Sequence, residues 1–398
     1  MKKAIFIAML LSILLLPTIV LAASSFDSLL TALATSKIAG RIGIMTEITE
    51  AKNDDEDNDE KDGNIGVGFL ELGFLTDEFQ GFKLGTQFIG VSEIWANESY
   101  EFEFDRGGIF EDEAMLKEAY LIYALPHTET EILVGRKQFK SSSIMNGDAH
   151  QGIQVTINDF DRFTIYASVI NSWIENATVT MDGISNTWLD GDDIVADTSD
   201  TVYSLIGEID LISDVLGLTP FITQQSKIVT TYGADLDISI PLTDKIMIGF
   251  EGIYTYYQED TEDPLDANAD SYLGYGFIGA ANWQIGAGYY MMSDDPRVNL
   301  TAVGTGTFDP MEEAVYGAEQ DDHTLYFDVK FKYEPFELEA VYGDTKINRT
   351  NKGTIELDLF LTYEITDAIT CGLLFVDVKD ETPFLDYQVY GGEMSLNF

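Results

Sequence analysis

The sequence predicts an all-β fold: a transmembrane antiparallel up-and-down β-barrel of about 18 strands, with short periplasmic turns and long acidic external loops. Three observations predict it. Apolar and polar residues alternate with a period of two in stretch after stretch, each long enough for a tilted membrane strand. An apolar leader at the N-terminus marks the chain for export. The last stretch, Tyr387–Phe398, is itself alternating and stops on an aromatic residue.

The leader is Met1-Lys2-Lys3, an apolar run from Ala4 to Leu21, and small residues at Ala22, Ala23 and Ser24. Pro17 interrupts the run, so residues 1–22 read as a secretory signal peptide and not as an anchor. Nothing later reaches the roughly 18 consecutive apolar residues that a spanning helix needs. The exported chain is therefore soluble in the periplasm, secreted, or a barrel in the outer membrane. Composition favours the barrel, because Gly 34, Tyr 20 and Phe 24 against Pro 9 is rich in strand and girdle residues. Cys371 is the one cysteine; it cannot form an internal disulfide, so stability must come from strand pairing and closure. A sandwich of about 375 residues would divide into domains. No Pro/Ser-rich linker and no change of texture occurs, so residues 37–398 read as one barrel.

Residues 23–36 come first. Within Ser24–Ser36, Phe26, Leu29, Leu30 and Leu33 have helical spacing, which predicts a short periplasmic lead-in helix. From Lys37 onward the chain reads as strand. Ile38, Gly40, Ile42 and Ile44 alternate with Lys37, Arg41 and Glu47 in the first one. Hairpins around tight turns follow at 64–76 with 81–95, 115–125 with 129–138, 150–158 with 162–173, and 201–212 with 216–227. Four more are expected at 231–240 with 245–258, 271–281 with 282–292, 323–333 with 336–347, and 354–364 with 369–380, before the closing strand 387–398. In that last strand Tyr390, Met394, Leu396 and Phe398 share one face. A terminal Phe398 behind Leu396 and Met394 resembles the signal read by the bacterial outer-membrane assembly machinery. Tyr333, Tyr363 and Phe398 fall at strand ends, where an aromatic girdle belongs.

Strand phase assigns faces. In Leu325–Tyr333 the odd positions are apolar and the even ones include Asp328, Lys330 and Lys332; in Ile355–Tyr363, Glu356 and Asp358 oppose Ile355, Leu357 and Leu359. The inward acids predicted in this way are Glu71, Glu208, Asp210, Asp235, Asp237, Glu251, Asp328, Glu337, Glu339, Glu356, Asp358 and Glu393. The clearest inward basic residues are Arg41, Lys83, Lys330 and Lys332.

Charge narrows the function classes. Lys+Arg 22 against Asp+Glu 69 gives −47, and loss of Lys2 and Lys3 with the leader makes it −49. This excludes nucleic acid, whose affinity rests on basic residues, and points to cations as small partners. The acidic stretches 49–63, 96–114, 174–200, 259–270 and 293–322 cannot bury a core and read as solvated external loops. Gly274–Gly279 matches a dinucleotide fingerprint by letters but lies inside a strand with no helix after it. Asp54–Asp62 lacks the glycine and closing glutamate of an EF-hand loop. His127, His150 and His323 are far apart, no Gly-x-Ser-x-Gly elbow occurs, and no carboxylate pair stands out as acid and base. No catalytic residue, cofactor or metal site is expected.

A family resemblance rests on Leu29–Ile44 in outline, on Glu118-Ala-Tyr-Leu-Ile-Tyr123, on Val134-Gly-Arg-Lys-Gln138, and on Asn146-Gly-Asp148 with Gln151-Gly152. These stretches resemble OprD-type porins and the Campylobacter-type major outer-membrane porin. The resemblance implies an eighteen-stranded porin whose third external loop folds into the lumen. That loop, Lys140–His150, is the least acidic of the early ones and carries the apolar pair Ile144 and Met145. Met145 is expected to pack on the wall and Asp148 to face the aqueous path, with Arg136, Lys137 and Lys140 as partners across the narrowing. In OprD-type porins a ladder of inward basic residues guides anions; here inward carboxylates are the more abundant. The expected function is a passive channel for ions and small hydrophilic solutes, with cations preferred. The alternatives are a substrate-specific uptake channel of OprD type and a structural or adhesive barrel. Expected partners are outer-membrane lipid, small cations and solutes, and the barrel assembly machinery. A homotrimer stays open beside a monomer.

Overall fold

The computed structural model describes residues 23–51, 63–96, 113–140, 149–174, 201–225, 229–259, 268–293, 322–347, 352–381 and 386–398. A helix, α1 (Ala23–Ala34), precedes eighteen strands. The first nine are β1 (Lys37–Ala51), β2 (Gly63–Leu75), β3 (Phe82–Ala96), β4 (Glu113–Ala124), β5 (Thr130–Lys137), β6 (Ala149–Phe160), β7 (Phe163–Ile174), β8 (Val202–Ile212) and β9 (Leu216–Gln225). The second nine are β10 (Val229–Pro241), β11 (Met247–Glu259), β12 (Asn268–Ala280), β13 (Trp283–Met292), β14 (Asp322–Tyr333), β15 (Phe336–Ile347), β16 (Lys352–Thr366), β17 (Ile369–Asp380) and β18 (Tyr387–Asn397).

Every strand pairs antiparallel with its sequence neighbours, and β1 pairs with β18, from Arg41 opposite Asn397 to Ala51 opposite Tyr387. The sheet is closed and has no edge. Closure satisfies every strand's backbone groups internally, which the interior of a bilayer demands. The turns at the end where β1 starts are tight. Between β2 and β3, Phe79 and Phe82 exchange both backbone hydrogen bonds, and Gln80 and Gly81 have φ of 52° and 86°. Two positive φ angles across a two-residue loop match the right-handed twist of the flanking strands. The opposite end carries the longer connections, although the gaps from Gln225 to Val229 and from Ile347 to Lys352 are short there too. α1 sits at the tight-turn end, where the Asp77 amide donates to the Ala32 carbonyl at 3.3 Å.

The two faces of the wall differ as the period of two requires. Outward side chains are large, apolar and exposed: Ile42 and Ile44 on β1, Leu70 and Leu72 on β2, Phe327, Val329 and Phe331 on β14. Their neighbours in sequence face inward, and many are buried, including Val67, Ile89, Ile206, Asp328 and Glu356. A soluble protein rarely exposes so continuous an apolar surface; a membrane barrel requires it. Aromatic residues mark both borders of that band. Phe336 and Tyr363 stack at 4.7 Å near the tight turns, while Tyr232–Tyr256 and Tyr254–Tyr272 lie 5.0 and 5.1 Å apart near the other end.

Candidate functional site: a charged lumen

The lumen is lined by every second residue of each strand. On one side, Arg41 joins three strands: its guanidinium lies 3.4 Å from Glu71 on β2 and 3.2 Å from Glu393 on β18. It also sits 4.7 Å above the Phe69 ring. A β-bulge on β4 sets Gln87 opposite Glu118 and Phe88 opposite Leu116, leaving Lys117 as the extra residue. Lys117 is buried and in electrostatic reach of Glu71, Glu118 and Arg41. A strict period of two cannot place two successive residues on one face, so nothing in the alternation points to Lys117. Lys83 pairs with Ile122 on the lumen side of the same wall.

Beyond β5 the chain turns across this wall. Lys137 lies over the Tyr120 ring at 4.7 Å. The next three backbone amides donate to side chains of the wall: Gln138 to Glu118 Oε1 at 3.1 Å, Phe139 to His150 Nδ1 at 3.4 Å, and Lys140 to Gln154 Oε1 at 3.2 Å. Phe139 is buried in an apolar cluster with Ile170, Val202, Ile206 and Phe221 of β7–β9. The Lys140 ammonium reaches Glu208 on β8 at 2.6 Å, and Tyr166 donates its hydroxyl proton to the other Glu208 oxygen at 2.9 Å. The structure therefore brings Lys140 and Glu208 together in the lumen. Arg136 goes elsewhere. It pairs with Ala119 and Gln151, and its guanidinium donates to the Leu116 carbonyl, inside the wall between β4 and β5. Gly135 precedes it at φ 127°, and the register runs unshifted through both residues. Met145 and Asp148 lie outside the described residues, as does most of each acidic external stretch.

The opposite side differs in charge. β10 is nine strands from β1 in an eighteen-stranded ring, hence across the lumen. By register, Asp235 and Asp237 share a face with Glu251 on β11. Glu251 is in electrostatic reach of Asp237, Asp328 and Lys330. Asp328 is buried beside Gly286, whose missing side chain leaves room for the Asp328 carboxylate and the Tyr275 hydroxyl. The Tyr275 and Tyr326 rings stack at 5.8 Å next to it. Lys330 bonds Glu339 at 2.7 Å and Lys332 bonds Glu337 at 3.0 Å, so both lysines are already engaged. Glu356 and Asp358 are fully buried on the inner face of β16, and Asp210 lies exposed on the inner phase of β8, opposite Gly217 of β9.

Among the described residues no group of three or more His, Cys, Asp and Glu side chains is placed to hold a metal ion. His127 occupies a tight turn, His150 the inner wall of β6 and His323 the far end of β14.

A closed barrel of this strand number, apolar outside and charged inside, defines a porin of the bacterial outer membrane. The chain belongs to the Campylobacter major outer membrane protein family, whose model matches residues 82–377, from the start of β3 into β17. Its fold is similar to that of a BenF-like porin from Pseudomonas fluorescens Pf-5, with TM-score 0.74, 13% identity, 92% of this chain and 98% of that chain covered. It is similar also to OccK9 (OpdG) of Pseudomonas aeruginosa, with TM-score 0.73, 12% identity and 92% and 100% covered. For OprD of Pseudomonas aeruginosa the TM-score is 0.66 at 10% identity, with 92% and 95% covered. At such identities the likeness concerns the fold alone. No curated protein matches the chain in sequence.

Proposed function

We propose that this outer-membrane porin is a passive, cation-preferring channel for ions and small hydrophilic solutes, without catalysis or energy coupling. The observation that carries this reading is the wall from β10 to β16. There Asp235, Asp237 and Glu251 face the lumen, with Asp328 buried on the same inner phase, while Lys330 and Lys332 are bonded to Glu339 and Glu337. A surplus of carboxylates around a water-filled path raises the local concentration of cations and repels anions. The narrowing is assigned to the third external connection, which supplies Lys140 to the lumen; Met145 and Asp148 are its remaining candidates. Arg41 and Lys140 are held by Glu71, Glu393 and Glu208, which reduces what they offer to anions. The export and assembly parts of the reading are a signal peptide at residues 1–22, recognition of Phe398 by the barrel assembly machinery, and a monomer or trimer in the membrane.

Single-channel recording in planar bilayers tests the reading. A large, steady, ohmic conductance with a cation preference supports it. Folded protein that inserts without conducting would mean a structural or adhesive barrel, and saturable block by one solute class would mean a substrate-specific channel.

A further inference from the structure

We propose that Gln154 is a positioning residue for the channel, the side chain that holds Lys140 at its place in the lumen. This rests on the channel reading above. Gln154 lies on the inner face of β6 and is 5% exposed. Its carboxamide binds the backbone of Lys140 at both groups: Oε1 accepts from the Lys140 amide at 3.2 Å, and Nε2 donates to the Lys140 carbonyl at 2.9 Å. The second Nε2 proton goes to Ser168 Oγ on β7 at 2.9 Å, which fixes the orientation of the amide. An antiparallel neighbour forms this same two-bond ring with one residue. One side chain here does the work of a strand partner, and only an amide carries the needed donor and acceptor together.

The consequence is electrostatic. Glu208 faces the lumen at the same level and has Lys140 as its counter-charge at 2.6 Å. Lys140 is 49% exposed at its side chain, so the ion pair alone is a weak tether. Gln154 supplies the rest of the hold. Without it Lys140 leaves Glu208 part of the time, and a carboxylate that keeps only its Tyr166 hydrogen bond, with no counter-charge from Lys140, joins the aqueous path. Backbone pairing of β6 with β5 and β7 does not involve the Gln154 side chain. Water in the lumen can solvate the released Lys140 peptide groups, so the barrel itself is expected to survive the loss.

The test is bilayer recording on the full chain carrying Gln154→Leu, with Gln154→Met as a second loss variant of conserved volume should the first fail to fold. Losing two net hydrogen bonds lowers the ratio of held to released Lys140 on the order of thirtyfold. The expected readouts are more open-channel noise and a zero-current potential shifted further toward the cation, with unchanged heat-modifiable gel migration. The positioning role adds a stricter condition: the selectivity shift should vanish in a Lys140→Met background, where there is no charge left to position. Wild-type noise and selectivity in either folded Gln154 variant, or the same shift with and without Lys140, would overturn the proposal. A wild-type chain that does not conduct would instead overturn the channel reading on which it rests.

Discussion

Gly40 and Phe398 close the barrel on each other. Phe398 donates its amide to the Gly40 carbonyl at 3.0 Å, and Gly40 donates to the Phe398 carbonyl at 2.9 Å. A Cβ at Gly40 would stand 2.7 Å from the Phe398 ring and 2.5 Å from the Glu71 carbonyl, nearer than such atoms approach. The final aromatic residue of the chain thus covers a glycine of the first strand. Gly40→Val should displace the ring and weaken the last pairing of β1 with β18; deleting Phe398 removes it. Both variants are expected to be exported but poorly inserted, read as lost membrane-extracted, heat-modifiable protein. Wild-type levels of inserted protein for both would contradict closure at this seam.

The lipid-facing assignment of alternate residues has its own test. On β16, Leu359 faces outward between the inward Asp358 and Phe360. Leu359→Arg should cost about 2–4 kcal/mol if it lies near the bilayer midplane, measured as a shift in reversible urea unfolding from lipid vesicles. An unchanged midpoint would mean that this face does not meet lipid.

Much of the fold was legible because strand phase is a strong constraint: one residue of slippage sends every side chain to the wrong face. Leu325–Tyr333 and Ile355–Tyr363 keep an apolar residue at every odd position, with Tyr326 and Phe360 the only aromatic exceptions on the other, polar face, and their strands begin and end close to where the alternation does. The lumen was less legible, for physical reasons that differ by residue. Lys117 enters through a bulge, which period-two reading cannot register. Arg136 follows a glycine at positive φ, and its head is taken up by a backbone carbonyl. Gln154 reads as an unremarkable polar residue on an inner face, because its partner is a loop backbone fourteen positions earlier. Alternation says which side a residue faces; it is silent on which partner it meets there.

Arg41 tests the balance of lumen charge. It holds Glu71 and Glu393 with its side chain, while the pairing of β1 with β2 and β18 is made by backbone groups that this side chain does not enter. Arg41→Gln should therefore leave the barrel folded and free two carboxylates. The expected result is a stronger cation preference at low salt with little change in thermal stability. A weaker preference would mean that Arg41 does not set the potential of the conducting path.

The cation preference is tested most directly by the zero-current potential across a bilayer containing the wild-type channel under a tenfold salt gradient. The carboxylates of β10–β14 should set its sign, because at physiological salt each charge acts over about 8 Å and the external acidic stretches contribute mainly to capture. The expected potential is displaced toward the cation's equilibrium value, larger at low ionic strength, and reduced as the pH falls to about 4, where carboxylates ordinarily take up protons. A potential displaced toward the anion at neutral pH would contradict it.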